Sequence, residues 1–174
     1  MVFSLYRPYA ALTVAVWIFL SGAAFGAPPA AGSLAAAPAA EPFVVYKSPT
    51  CGCCAAWLDH LNVRGIATRV EHPADLNAIK DRYGIAPRHQ SCHTAVSPDG
   101  YVFEGHIPAN VMQRFLREKP AGAQGLAVPG MPLGSPGMEV DDRFSPYDIY
   151  LLKRDGSTEV YTRINSPADQ KEGT

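Results

Sequence analysis

From residue 43 onward, apolar and polar positions follow two alternating periods. Phe43-Val44-Val45-Tyr46 is a short apolar run of β-branched and aromatic residues, which predicts a buried strand. After Cys51-Gly52-Cys53-Cys54 the spacing changes to that of a helix. Cys54, Leu58 and Leu61 recur at i, i+4 and i+7, with Gly65 just beyond the end. Thr68 to Glu71 predicts a second strand. His72-Pro73-Ala74-Asp75 predicts the start of a second helix, with Pro73 at its first position and Asp75 in its first turn. Leu76, Ile79 and Tyr83 form its apolar face, and Gly84 is its expected stop. Thr94-Ala95-Val96 and Tyr101-Val102-Phe103 flank Ser97-Pro98-Asp99-Gly100, a type I turn signature that predicts a hairpin.

A third helix opens at Pro108, presents Val111, Met112, Phe115 and Leu116, and closes at Lys119-Pro120. From Ala121 to Met138 the pattern lapses into a loop dense in Gly and Pro. Ile149-Tyr150-Leu151-Leu152 and Val160-Tyr161-Thr162-Arg163-Ile164, around Asp155-Gly156, predict a second hairpin. The order is β-α-β-α-β-β-α with an added loop and hairpin. It predicts an α/β fold of the thioredoxin-like kind, a central mixed sheet flanked by helices, with chemistry at the first strand-to-helix junction.

The first residues differ in composition. Arg7 is the only charge before Glu41, an apolar run spans Ala10 to Leu20, and Ala24-Phe25-Gly26 offers the small-x-small pattern of a cleavage site. The apolar run is shorter than the roughly 20 residues of a spanning helix, so residues 1–26 read as a signal peptide, with an uncleaved membrane anchor as the alternative. Residues 27–42 read as a flexible Ala/Pro-rich tether, 43–164 as the folded domain and 165–174 as a disordered tail. The expected destination is the periplasm or another oxidising exported compartment, with no membrane span after cleavage. The whole chain has 174 residues, enough for one domain with a real core, and a net charge of −1 with scattered basic residues. That balance speaks against a nucleic-acid partner.

Three of the four cysteines fall within Cys51–Cys54, where unpaired N–H groups of a helix start favour thiolate. Three readings compete. Two structural disulfides suit an exported chain, but adjacent Cys53 and Cys54 allow only pairings such as Cys51–Cys54 with Cys53–Cys92, which staple nothing distant. A thiol–disulfide oxidoreductase would use Cys51 and Cys54 as its C-x-x-C pair, yet Cys53 invites misrouted disulfides. A metal site draws on the thiolates and on Cys92, His93, His106, Met131 and Met138, and soft thiolate and thioether donors select Cu(I). A loop so rich in Gly and Pro has little core for methionines to fill, which favours Met131 and Met138 as ligands. Seven residues at ~1.5 Å each put His60 ~10 Å from Cys53, too far to share an ion. His60, His72 and His89 read as surface or capping residues.

Four motifs in order, Tyr46-Lys47-Ser48-Pro49-Thr50-Cys51-Gly52-Cys53-Cys54, Ser91-Cys92-His93-Thr94-Ala95, Glu104-Gly105-His106-Ile107-Pro108-Ala109 and the run from Gly125 through Met131 and Met138 to Glu139, resemble the CopG family. This is the exported copper-resistance family, formerly a domain of unknown function, and not the repressor of the same name. The resemblance spans about residues 43–164 with no departure inside the motifs. It implies a thioredoxin-like domain that binds copper through Cys51, Cys53 and Cys54, with His106 and Met131 next and Cys92, His93 and Met138 beside them. Sulfur can bridge metals, so a multinuclear Cu(I) cluster is natural, and zinc is the competing metal. The implied partners are copper ions and other exported copper-handling proteins. Metal holding is favoured over enzymatic activity, with a thiol or copper oxidoreductase as the alternative.

Overall fold

The computed structural model describes residues 41–171. The signal-peptide reading and nearly all of the tether reading lie outside them, as do residues 172–174. Seven strands form one sheet in the order β2-β1-β3-β4-β5-β6-β7. They are β1 (Phe43–Lys47), β2 (Thr68–Glu71), β3 (His93–Val96), β4 (Val102–Glu104), β5 (Ala123–Ala127), β6 (Tyr147–Lys153) and β7 (Thr158–Ile164). The helices are α1 (Gly52–Asn62), α2 (Leu76–Arg82) and α3 (Ala109–Glu118). The β1–α1–β2 unit is parallel, and β3 and β4 join antiparallel beside β1. This is the thioredoxin-like arrangement, a mixed sheet with the cysteine turn at the end of β1.

The two faces of the sheet have different tasks. Phe43 and Val45 of β1, Ala95 of β3 and Phe103 of β4 pack with Trp57, Leu58 and Leu61 of α1 and Val111, Met112 and Phe115 of α3 in one core. Each of the larger of these side chains contributes on the order of 1.5–3 kcal/mol by leaving water. Trp57 is fully buried and donates its indole N–H to the Ile107 carbonyl at 2.9 Å. The alternate residues face α2. Tyr46 meets Tyr83, and the register partners Thr94 and Glu104 meet Lys80.

Three expectations need correction. The second helix begins at Leu76, with Asp75 as its cap. The Asp75 Oδ1 accepts the N–H groups of Asn77 and Ala78 at 2.8 and 3.2 Å, which Pro73 could not replace. The segment read as an unpatterned loop contains β5, parallel to β4 across α3. Its sequence, Ala-Gln-Gly-Leu-Ala, hides the strand because Gly125 stands where a Cβ would strike the Val102 carbonyl. The end of the chain is held at residues 165–171. Asp169 and Ser166 form a capping box on a short turn (Pro167–Gln170), and buried Gln170 accepts the Tyr147 hydroxyl at 3.0 Å and donates to the Gly134 carbonyl at 2.9 Å. Polar pairing at long range leaves no periodic trace in sequence.

His60 is indeed a capping residue, but of another helix. Its Nε2 accepts the Ala109 N–H at the start of α3, at 3.0 Å. Burial, followed by the Arg64 charge, lowers its pKa from 6.5 to about 4. A neutral ring is required for the bond. Between those two values the unfolded chain binds the proton and the folded chain does not, so this contribution is complete above about 6.5 and lost as pH falls to about 4. His60→Ala should therefore melt at a lower temperature at neutral pH, and its melting temperature should fall less steeply between pH 6.5 and 4 than that of the wild type. Thermal melts of both proteins across that range check this.

Candidate metal centre

The site begins where β1 ends. Lys47 donates to the Ser48 carbonyl, which also accepts the Cys51 N–H, so a tight turn delivers Cys51 to the head of α1. No side chain caps that helix. Cys51 and Cys54, one helical turn apart, form a disulfide, and Cys53 and Cys92 are free. The Cys53 sulfur lies 3.4 Å from that of Cys51, and the Cys92 sulfur 3.5 Å from that of Cys54. All four sulfurs lie within 4.8 Å of one another.

Two imidazoles close the cluster from the other side. The Cys92 sulfur is 3.3 Å from His93 Nδ1 and 3.0 Å from His106 Nε2. His106 Nδ1 donates to the Pro136 carbonyl at 2.8 Å, which fixes the tautomer and turns the Nε2 lone pair towards the sulfurs. An imidazole whose second nitrogen is held by a backbone carbonyl is oriented as metal-binding histidines are. His93 is wholly buried between Trp57 and His106, at ring separations of 4.2 and 4.9 Å, and its Nε2 has no partner among the described residues. Burial lowers the pKa of both rings, so both are neutral, ligand-competent bases at neutral pH. Burial, then Cys53, raises the Cys92 thiol to about 11.

The glycine- and proline-rich loop is laid over this cluster by its backbone. Gly137 has φ +84°, and a Cβ there would stand 2.5 Å from the Cys53 carbonyl oxygen and 2.8 Å from the Trp57 nitrogen. Only glycine allows that approach. Met131 is 53% exposed and Met138 partly buried on the same loop. Of the residues singled out in the sequence, Cys51, Cys53, Cys54, Cys92, His93 and His106 therefore converge, and the two methionines lie in the covering segment.

One group behind the site escaped the sequence reading. The Glu104 carboxylate, fully buried on the α2 side of the sheet, pairs with buried Lys80 and accepts the Thr94 hydroxyl and the Ser91 N–H, each at 2.6 Å. Burial pushes its pKa above the usual carboxylate range, against the opposing pull of Lys80. Removing either partner alone would leave a buried charge, at a cost of about 3–5 kcal/mol. Beyond its place at the head of the Glu104-Gly105-His106 motif, the sequence signal was an acid in a strand otherwise made of Val102 and Phe103.

Fold and site define a class: a thioredoxin-like domain whose cysteine turn is joined by a fourth thiol and two imidazoles in a group able to hold metal. Comparison with known proteins narrows it. A family described as "Protein of unknown function, DUF411" matches residues 89–138. No curated protein sequence matches the chain. Two solved structures, "Copper resistance protein copG- Form 1" and "Form 2", are similar to it at 40% and 42% identity with TM-scores of 0.66 and 0.67. They cover 72% and 71% of this chain, which spans 98% and 99% of theirs. The chain belongs to the CopG family of copper resistance proteins.

Two outcomes follow from the geometry. With the disulfide intact, Cys92 should react with iodoacetamide at pH 8 at least about tenfold more slowly in the folded chain than in denaturant, because burial holds its proton. Mass spectrometry of the alkylated peptides measures this. Gly137→Ala should destabilise the chain by about 1–3 kcal/mol, read from urea unfolding, since the new Cβ meets backbone at a positive φ.

Proposed function

We propose that this chain is an exported copper-binding protein that holds Cu(I) through the thiolates of Cys51, Cys53, Cys54 and Cys92, with His106 and His93 as nitrogen donors. Met131 and Met138 add thioethers from the covering loop. The observation that carries the reading is the convergence of three sulfurs and two neutral imidazoles around a fourth sulfur, that of Cys92. Soft sulfur donors select Cu(I) over harder metals, and a cluster of thiolates can bridge several ions. The two similar structures are of copper resistance proteins, which points the same way. The protein's task is then tolerance of excess copper in the periplasm, receiving copper ions from or passing them to other exported copper-handling proteins.

The disulfide bears on how the site would work. Cys51 and Cys54 bind metal only after reduction, which consumes two electrons and two protons from a thiol reductant and yields two thiols. Copper holding is therefore tied to redox state. The same disulfide, one turn long at the head of α1, favours a second reading, a thiol–disulfide oxidoreductase. Among the described residues, no helix is long and apolar enough to cross a membrane. Cell fractionation with N-terminal sequencing of the mature chain tests export.

The two readings part on loading. Reduced protein given Cu(I) without oxygen should retain at least one ion per chain through desalting. Cys53→Ser should release it, and His106→Ala and Met131→Ala should weaken it. If no copper is retained while Cys51–Cys54 cycles against glutathione, with His106→Ala and Met131→Ala cycling as the wild type does, the oxidoreductase reading replaces it.

A further inference from the structure

Glu104 holds two loops at once. Its side chain accepts the Ser91 N–H at 2.6 Å, and its own carbonyl accepts the Val128 N–H at 2.9 Å. The loops are also joined to each other, because the Ser91 hydroxyl donates to the Gly130 carbonyl and the Gly130 N–H donates to the Gln90 carbonyl at 3.1 Å. Cys92 follows Ser91 directly, and Met131 follows Gly130. The Glu104 carboxylate lies on the α2 side of the sheet, opposite the face on which His93 meets Trp57. We propose that Glu104, held by Lys80 and Thr94, is a positioning residue of the metal centre that sets the loops of Cys92 and Met131 in register over the cysteine turn.

Neither loop has regular secondary structure at its donor residue, and a donor on an unheld loop must be ordered when the ion arrives. A carboxylate buried in the sheet and fixed by three donors is rigid, and the Ser91 amide inherits that rigidity. Outer groups of this kind orient ligands without touching the ion. A merely structural ion pair would stabilise the fold yet leave the Ser91 amide and the metal affinity indifferent to what replaces it. The inference rests on the copper reading for its function, not for its geometry.

The test compares two double variants that leave no buried charge unpaired. Lys80→Met with Glu104→Gln keeps an acceptor for Ser91, and Lys80→Met with Glu104→Leu removes it. In reduced, metal-free protein, amide exchange at Ser91 should stay slow in the Gln variant and become fast in the Leu variant. Competition with a Cu(I) chelator should show the Gln variant close to wild type and the Leu variant weaker by about 10- to 100-fold, at similar melting temperatures. Equal exchange and equal affinity in two folded variants would overturn the proposal. If the wild type itself binds no Cu(I), the copper reading fails, and the exchange contrast still decides whether Glu104 positions the loop. Should the Leu variant not fold, the wild type decides: a Ser91 amide exchanging as fast as exposed loop amides overturns the proposal, and a slow one supports it.

Discussion

The Cys92 sulfur is the point on which this structure turns. It touches the cysteine turn through Cys54, the sheet through His93 and the β4–α3 corner through His106. Three segments far apart in sequence meet there, and each is fixed by something other than the meeting. The turn is fixed by α1 packing through Trp57, the loop of Cys92 by Glu104, and His106 by the Pro136 carbonyl. The site is thus assembled by the fold before any ion enters, which lowers the ordering cost of binding.

The electrostatics suit a soft cation. Two buried imidazoles stay neutral, and Cys92 keeps its proton until something replaces it. Metal binding would supply the replacement, since a coordinated thiol is deprotonated. The disulfide between Cys51 and Cys54 adds a second condition, because an oxidised pair withholds two of the four thiolates. Under the proposed copper reading, burial and redox state together decide when the cluster can hold the ion.

Much of this was legible in the sequence. The period of Phe43 to Tyr46, the helix face of Cys54, Leu58 and Leu61 and both hairpins appear as read, because each rests on local spacing. The six Cys and His residues that converge were legible for another reason: thiols and imidazoles are rare enough to stand out. What stayed hidden depends on contacts across the chain. β5 is masked by Gly125, chosen for close approach and not for strand propensity. The roles of His60, Glu104 and Gln170 each depend on a partner more than twenty residues away. A buried acid next to its sheet neighbours gives a sequence reader no period to detect.

The most direct measurement of the central claim is X-ray absorption at the copper edge of the reduced chain loaded with Cu(I). The account predicts a sulfur-dominated first shell with a nitrogen contribution that diminishes in His106→Ala, and a copper–copper scattering path once more than one ion is bound. A first shell of oxygen and nitrogen alone, unchanged when Cys92 is replaced by serine, would contradict it.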